Sequence, residues 1–287
     1  MPSEIIQWFP GHMAKTRRLI SENLSNVDII IELLDARIPY SSRNPEIKKL
    51  TAQKPRLTVL NKCSLADDAI TDMWQKKFTQ DGEFCLKCDC LSGKGVSQIS
   101  QSVKEILSPL LEKFEQKGMS GRTVKAMILG IPNVGKSSLI NKISQNKKAK
   151  VENRPGVTLT KQWVTTTIGI DLLDMPGVLW PKFEDQRVGE NLAITGAIKD
   201  DILDNERIAA VLLTRLKELY PDLLCQRYKT IKEDISPLDG YDMLTLIAKK
   251  RGCIIKGGEI DTERVSNMLI DEYRSAKIGK ISLEVPK

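Results

Sequence analysis

Nine consecutive residues, 130–138, carry the strongest chemical signal in the sequence. Gly130-Ile131-Pro132-Asn133-Val134-Gly135-Lys136-Ser137 fits the pattern G-x-x-x-x-G-K-S. An apolar run at 124–129 precedes it and a helical pattern begins at Lys136, so the loop joins a strand to a helix. The backbone N–H groups of such a loop and of the following helix bind phosphate oxygens. The predicted phosphate-binding residues are Asn133, Val134, Gly135, Lys136, Ser137 and Ser138, with Lys136 on the outer phosphates and Ser137 on Mg²⁺.

A second pattern lies downstream of this phosphate loop. Asp174-Met175-Pro176-Gly177 fits D-x-x-G. In nucleoside triphosphatases the Asp of this pattern holds the Mg²⁺ shell, and the Gly N–H can contact the γ-phosphate. Asp before Pro-Gly is also a common turn, so the pattern gains its weight from its place after the loop. Between the two patterns, Thr158 is our candidate for the second hydroxyl ligand of Mg²⁺, the alternative being a loop threonine beside a turn.

A third pattern would recognise a base. Asn61-Lys62-Cys63-Ser64 resembles the N-K-x-D signature with which GTPases recognise guanine, but Ser64 stands where that signature has Asp. A hydroxyl cannot form the bidentate, charge-assisted pair of a carboxylate with guanine N1–H and its exocyclic amine. Losing a hydrogen bond of this kind costs about 1.5–3 kcal/mol. Selectivity for guanine over adenine is therefore open, and Ser64→Asp is expected to tighten guanine binding.

Two further features of this region have structural alternatives. Ser64 could cap a helix, with Asp67 completing a capping box. Asp67 or Asp68 could supply the missing carboxylate to guanine instead. Cys90-Leu91 occupies the place of the loop that backs the guanine carbonyl, although an ordinary loop would look the same.

The segments that position these motifs alternate between strand and helix patterns. Apolar runs predict parallel strands at 27–34, 56–60, 83–90 and 124–129, and a hairpin at 163–168 and 170–174. Helical patterns start near His12 and at Lys136, and cover 65–80 and 96–114. The sequence thus predicts an α/β fold with a mainly parallel, doubly wound sheet over residues 1–180. Helical periodicity at 206–219, 241–251 and 261–277 predicts a smaller all-α domain over residues 181–287.

The composition restricts the class of protein. The chain has 287 residues, of which 41% are hydrophobic and 28% charged, as in globular proteins. A net charge of +7 favours polyanionic partners such as RNA. No run reaches membrane-spanning length and the N-terminus lacks a signal-peptide pattern, so we expect a cytoplasmic protein with no membrane partner. The six cysteines are irregularly spaced, and Cys85, Cys88 and Cys90 are better interpreted as thiols on a strand than as zinc ligands.

The order of the motifs is unusual, because the base motif at 61–64 precedes the phosphate loop. With this order the chain resembles the YlqF/RbgA family of circularly permuted ribosome biogenesis GTPases. The resemblance rests on 7–15 (QWFPGHMAK), 35–39 (DARIP), 61–62, 130–138, 155–158, 174–177 and 187–193 (RVGENLA). It implies a circularly permuted P-loop GTPase domain that binds GTP and GDP.

The resemblance also implies a biological role. It indicates an assembly factor for the large ribosomal subunit that contacts rRNA, with slow intrinsic GTP hydrolysis stimulated by the ribosomal particle. We expect a monomer away from the ribosome. Two alternatives remain open: an rRNA-binding scaffold that holds nucleotide with negligible turnover, and a P-loop ATPase whose base specificity is relaxed by Ser64.

Hydrolysis would need a group other than the usual glutamine after D-x-x-G, because Val178 stands there. The family resemblance makes His12, the single histidine of the chain, the candidate for positioning the attacking water. The alternative is a surface or helix-capping histidine. Asn133 resembles the asparagine that coordinates K⁺ in potassium-stimulated GTPases, and Arg154 or Arg37 could supply the positive charge instead.

Overall fold

The computed structural model describes residues 10–119, 121–144, 162–180 and 183–286, with the backbone alone for 10–13. A six-stranded sheet lies at its centre, in the order β3-β2-β1-β4-β6-β5. The strands are β1 (Ile29–Asp35), β2 (Arg56–Asn61), β3 (Phe84–Lys87), β4 (Val124–Leu129), β5 (Gln162–Thr165) and β6 (Ile170–Asp174). All neighbours are parallel except β5 and β6, which form the predicted hairpin. The predicted α/β fold with a mainly parallel sheet is thereby confirmed.

The central strand β1 shows why this sheet is buried on both faces. All seven of its residues are buried, as a continuous apolar run in a parallel sheet predicts. One of its two charged residues, Glu32, is compensated by Arg56, whose Nη1 lies 2.7 Å from Glu32 Oε2, and by Arg43 at 3.4 Å. The strand can therefore hold a carboxylate in the core and still pair with β2 and β4.

Helices cover the sheet and form the C-terminal part of the chain. Those of the first part are α1 (Pro10–Asn23), α2 (Pro45–Leu50), α3 (Asp68–Gln80), α4 (Gln98–Ile106), α5 (Ser108–Gln116) and α6 (Lys136–Ile143). Those that follow are α7 (Gln186–Ile194), α8 (Asn205–Leu219), α9 (Pro221–Tyr228), α10 (Lys232–Ile235), α11 (Gly240–Arg251) and α12 (Thr262–Arg274). Among the helices described, none is long and apolar enough to cross a membrane.

Three sequence predictions need correction in detail. The helical pattern at 96–114 is two helices, because the chain breaks at Leu107 ahead of Pro109, which occupies the first turn of α5. The strand predicted at 83–90 ends at Lys87. Ser64 does not cap a helix: α3 begins at Asp68, and the side chain of Asp67 accepts the capping hydrogen bond from Ile70 N.

The last residues of the chain return to the sheet region. Ile281 N donates to Leu65 O at 3.1 Å and Leu283 N to Arg37 O at 2.9 Å. The Glu284 side chain accepts from Tyr40 N at 2.7 Å, and its backbone carbonyl accepts from Trp74 Nε1 at 3.0 Å. Residues 281–284, which we call the C-terminal strap, thus lie between the loop after β1 and the start of α3.

Candidate nucleotide-binding site

The phosphate loop leaves β4 at the middle of the sheet and ends at the N-terminus of α6. Gly135 precedes α6 with a φ of +107°, in the left-handed region that favours glycine. A Cβ atom at this position would collide with Asn61 Nδ2. The conformation and the close approach together require glycine here, as the motif predicts.

Lys136 lies inside the loop. It is buried, and its Nζ donates to Gly130 O and Ile131 O, both at 3.0 Å. Burial lowers the pKa of Lys136 to about 8, although the nearby Asp174 opposes the shift. These contacts hold the ammonium group at the cradle of backbone N–H groups that the sequence assigns to phosphate.

Asp174 ends β6 beside this lysine. Burial raises the pKa of Asp174 to about 6, with Lys136 and the Met175 N–H acting in the opposite direction. Its Oδ1 is buried without a hydrogen-bond partner. A buried carboxylate oxygen with spare acceptor capacity fits a hard cation such as Mg²⁺, for which Asp174 and Ser137 are the predicted ligands.

Gly177 approaches the phosphate loop closely. A Cβ atom at Gly177 would lie 2.8 Å from Pro132 Cα and 3.0 Å from Lys136 Nζ. The chain after Asp174 therefore passes directly over the loop, and any larger residue at 177 would displace Lys136. This places the D-x-x-G segment where it could contact the outermost phosphate.

Asn61 connects the phosphate loop to the loop after β3. Its Nδ2 donates to Val134 O at 2.6 Å, and its Oδ1 accepts from Cys90 N at 2.9 Å. Asn61 is buried at the end of β2. The base motif and the phosphate motif are 69 residues apart in sequence by their first members, Asn61 and Gly130, and the structure brings them into contact.

Lys62 follows with a φ of +61°. Its Nζ lies 3.0 Å from Asp35 Oδ2, and Asp35 also binds Arg37 at 2.7 Å. Arg37 stacks on the Tyr273 ring, with its Cζ 5.4 Å from the ring centroid. Burial lowers the pKa of Lys62, although the Asp35 carboxylate acts to raise it. Patterns in the sequence did not indicate this pairing, since it joins the ends of two strands.

Ser64 has a partner that the sequence analysis missed. Its hydroxyl donates to Oδ2 of Asp89, a buried residue just beyond β3. Asp89 Oδ1 accepts from Leu91 N at 2.9 Å and from Ser92 N at 3.0 Å. The sequence did hold one indication of this contact. The base motif lacks its carboxylate at position 64, and Asp89 offers a carboxylate just beyond the neighbouring strand.

Cys90 and Leu91 follow this carboxylate. Cys90 is buried, with its sulfur 3.9 Å from that of Cys88, whereas Leu91 is exposed. The Cys88 thiol and burial raise the pKa of Cys90. Within the described ranges, no three His, Cys, Asp or Glu residues lie together as a metal site would need.

Asn133, the candidate K⁺ ligand, contacts the helical part of the chain. It has a φ of +56°, and its Nδ2 donates to Gly196 O at 2.8 Å. Its amide oxygen is the atom type that K⁺ binds, so the residue fits the role while its nitrogen is engaged elsewhere. Arg37, an alternative source of charge, is committed to Asp35.

Three predicted site residues cannot be compared with the structure. Thr158 and Arg154 lie outside the described residues. His12 lies in α1, but its side chain also lies outside the described part. Val178 is buried, and its N–H points to Gly130 O at 3.4 Å. An apolar side chain therefore occupies the position at which other GTPases have a glutamine that orients the attacking water.

Known proteins resemble this chain over its whole length. Residues 125–243 match the family described as 50S ribosome-binding GTPase. The chain is 46% identical over 285 residues to ribosome biogenesis GTPase A of Bacillus licheniformis, covering 99% of each chain. It is 45% identical to the protein of the same name from Bacillus cereus, covering 99% of this chain and 95% of that one. It is 35% identical to mitochondrial ribosome-associated GTPase 1 of Ictalurus punctatus, covering 98% and 93%.

Solved structures share the fold. GDP-bound YlqF superposes with a TM-score of 0.67 at 23% identity, covering 94% of this chain and 99% of that one. GNP-bound YlqF from T. maritima superposes with a TM-score of 0.63, also at 23% identity, covering 95% and 99%.

Proposed function

This chain belongs to the ribosome biogenesis GTPase A family, and we propose that it binds and hydrolyses GTP while assisting assembly of the large ribosomal subunit. The observation that carries the proposal is the meeting of Lys136, Asp174 and Gly177 at the carboxyl ends of β4 and β6. Ligands of open α/β sheets bind at this edge. The permuted order of the motifs does not disturb the site, since only the chain connections differ.

Each group of the site has a distinct task in this proposal. Lys136 moves from the carbonyls of Gly130 and Ile131 to the outer phosphates, where its charge offsets that of the leaving group. Asp174 and Ser137, with Thr158, would hold Mg²⁺, which would neutralise negative charge on the phosphates. Gly177 offers its N–H to the γ-phosphate. The predicted K⁺ would bind through Asn133 and add positive charge at the same phosphates.

Water must be positioned by a residue other than Val178. We assign this to His12, whose imidazole can accept a hydrogen bond from water near neutral pH. The helix that carries His12 begins at Pro10. His12→Ala should lower turnover while leaving GTP affinity within about twofold, since the role is confined to the transition state.

The site is connected to the helical part of the chain, assigned by the sequence to a domain at 181–287. Asn133 contacts Gly196 just after α7, in the helical part. Within the first part of the chain, Val178 O accepts from Asn44 Nδ2 at 3.3 Å, at the start of α2. A γ-phosphate that draws Gly177 and Asn133 towards itself would alter both contacts. We propose that GTP sets the helical domain for rRNA in this way and that hydrolysis releases it.

The rRNA surface is assigned to basic residues at the end of α11. Lys249, Lys250 and Arg251 occupy its last turn. Arg251 already binds Glu272 at 2.6 Å, and Lys250 Nζ donates to Lys229 O at 2.7 Å. Lys249 therefore has the most freedom to meet a phosphate, and the other two fix the local geometry. A cytoplasmic protein that is monomeric away from the ribosome completes the proposal.

Co-sedimentation tests the partner directly. The purified protein would be centrifuged with large or small ribosomal subunits, in the presence of a non-hydrolysable GTP analogue or GDP. We expect it to pellet with the large subunit, more with the analogue than with GDP, and to pellet less when salt is raised. If equal amounts of the protein were found in the pellet with small subunits, or without any particle, the large subunit would be excluded as its specific partner.

A further inference from the structure

The position of the base follows from the positions of the phosphate groups. Asp174 ends β6 and Gly177 follows it, so both mark the γ-phosphate side, whereas the phosphate loop follows β4. The rest of a bound nucleotide therefore extends the other way, past β1 to the ends of β2 and β3. Asn61 marks this direction, because it contacts both the phosphate loop and the loop after β3. The inference rests on the proposed function, in which the nucleotide is GTP.

Guanine and adenine differ in what this site must offer. Guanine presents N1–H and a 2-amino group side by side, and both donate hydrogen bonds. Adenine presents N1 as an acceptor at the same edge. A site that selects guanine therefore needs adjacent oxygens that can accept but have no proton to donate, because these repel adenine N1.

Most carboxylates at this end of the sheet are already committed. Asp35 is bound by two cations, Arg37 and Lys62. Asp67 accepts from Ile70 N through Oδ1, at the start of α3, and from the Tyr220 hydroxyl through Oδ2 at 3.4 Å, so it is not available as a substitute for the missing carboxylate at position 64. Asp68 is exposed and pairs with Lys280 at 2.7 Å. Asp89 remains, with a neighbour that is neither a cation nor a helix end.

Asp89 and Ser64 together form the required acceptor. The Ser64 hydroxyl gives its single proton to Asp89 Oδ2, which leaves both lone pairs of its oxygen free. Asp89 Oδ1 is used by Leu91 N and Ser92 N, but Oδ2 keeps a second acceptor position. The pair thus offers two neighbouring oxygens and no proton, which matches the two donors of guanine.

We propose that Asp89, from the end of β3, supplies the carboxylate that position 64 lacks, and that Asp89 and Ser64 jointly recognise guanine N1–H and its 2-amino group. Asp89 is well placed, since Cys90 N beside it contacts Asn61. Ser64 is half-buried at the rim of the site, and Leu91 beyond it is exposed. Selectivity is thereby moved from one strand end to the next rather than lost.

This pairing changes what Ser64→Asp should do. A carboxylate at 64 would face the carboxylate of Asp89 across a hydrogen-bond contact, and two like charges there repel. We therefore expect Ser64→Asp to weaken GDP binding, in contrast to the tighter binding expected from the motif alone. Adding Asp89→Ser restores one carboxylate and one hydroxyl, so the double variant should regain the affinity.

The direct test is titration calorimetry of wild type and Asp89→Asn with GDP, inosine diphosphate and ADP in Mg²⁺ buffer. Asparagine keeps an oxygen for Leu91 N and Ser92 N, but its amide presents a donor next to Ser64. We expect GDP affinity to fall by about tenfold or more and ADP affinity to stay unchanged. In the same variant, the preference for GDP over inosine diphosphate, which lacks the 2-amino group, should become smaller. Asp72→Asn, which removes an exposed partner of Lys87, is the matched control.

Three outcomes overturn the proposal. The first is a GDP-to-ADP ratio that Asp89→Asn leaves intact. The second is a loss seen in Asp68→Asn instead. The third is a double Ser64→Asp, Asp89→Ser variant that binds GDP no better than Ser64→Asp, and this comparison decides the matter if Asp89→Asn alone does not fold. A wild-type protein that binds neither GDP nor GTP would instead contradict the proposed function.

Discussion

Buried ionic groups determine the local structure at the mouth of the site. Asp35 and Arg37 are nearly inaccessible, each with 2% of its side chain exposed, and Lys62 adds a third charge. Arg37 and Lys62 hold the pKa of Asp35 well below its usual range, against the effect of burial. Such a network is costly to break, because a remaining buried charge has no water to replace its partner.

Asp35→Asn is expected to lower the free energy of unfolding by about 3–5 kcal/mol, because the buried Arg37 loses its counter-ion and the partly buried Lys62 loses its partner. Urea unfolding of the wild type and the variant at pH 7 measures this difference in free energy. The control is Glu22→Gln, which breaks the exposed pair with Arg18 and should leave the free energy of unfolding close to that of the wild type, because solvent screens this pair. Equal losses in the two variants would show that burial does not decide the value of these pairs.

Lys136→Met separates binding from stability. Removing the charge should weaken GTP binding by about 10- to 150-fold, the value of a charge-assisted contact. The melting temperature should not fall, because methionine fills the buried site without the cost of a desolvated ammonium group. Lys142→Met, on the same helix but bonded to Ser92 O at 3.3 Å, is the control and should bind GTP normally. An equal loss of GTP affinity in both variants would contradict the assignment of Lys136 to phosphate binding.

The motif residues could be predicted from sequence, whereas their partners could not. Phosphate and metal chemistry restricts which residue types can serve at such a site and in what order, so the motifs single out Gly135, Lys136 and Asp174, and the structure places Asp174 beside Lys136. Asp89 has no motif. Its contact with Ser64 depends on the parallel pairing of β2 with β3, which brings together residues 25 positions apart.

Strands and helices were predicted best where periodicity was long. β4 matches the predicted bounds because all its residues except Lys125 are apolar and buried. The short helix α2 was missed, since six residues carry too little periodicity to register. β3 was predicted too long, because the apolar cysteines beyond it extend the pattern although Asp89 turns the chain.

An ion-pair cluster fixes the entry to β3. Glu83, just before β3, accepts from Arg43 Nη2 at 2.7 Å, from Lys48 Nζ at 3.1 Å and from Thr58 Oγ1 at 2.9 Å. These partners lower the pKa of Glu83 to about 2, although burial alone would raise it. The cluster joins α2 and β2 to the edge strand of the sheet.

The stability gained from Glu83 should therefore depend on pH. Because its pKa is depressed on folding, the contribution is complete above about pH 4.5 and is lost as the pH falls towards 2. At pH 6 the free energy of unfolding of the wild type should be higher than that of Glu83→Gln by about 1–2 kcal/mol, after allowance for solvent screening. Urea unfolding of both proteins at pH 6 and pH 3 measures the difference, and a gap that does not narrow at the lower pH would contradict this assignment.

Across the whole chain, the C-terminal strap ties the helical part to the loop after β1. Glu284 accepts from Tyr40 N, Ser41 N and Asn191 Nδ2, at 2.7, 3.1 and 2.9 Å. Asn191 belongs to α7, so a single carboxylate contacts both parts of the chain. The strap could not be predicted from sequence, because its last residues show no periodicity and their partners lie about 240 positions earlier.

Glu284→Ala should destabilise the protein by about 1–3 kcal/mol, since it leaves buried donors unpaired. Val285→Ala is the control, because this neighbour is 46% exposed, and it should cost less than about 0.5 kcal/mol. Chemical unfolding would measure the free energy of unfolding of both variants. If the two variants were equally stable, the strap would contribute nothing to the union of the two parts.

The most direct measurement is steady-state GTP turnover of the purified chain, alone, with large ribosomal subunits and with small ones, in Mg²⁺ and K⁺. We expect slow turnover alone and a clear rise with the large subunit only. Asp174→Asn should abolish the stimulated rate, because it removes the carboxylate that we propose as a ligand of Mg²⁺. Turnover that large subunits leave unchanged would contradict a GTPase whose hydrolysis is linked to assembly of that particle, and would favour a scaffold that merely holds nucleotide.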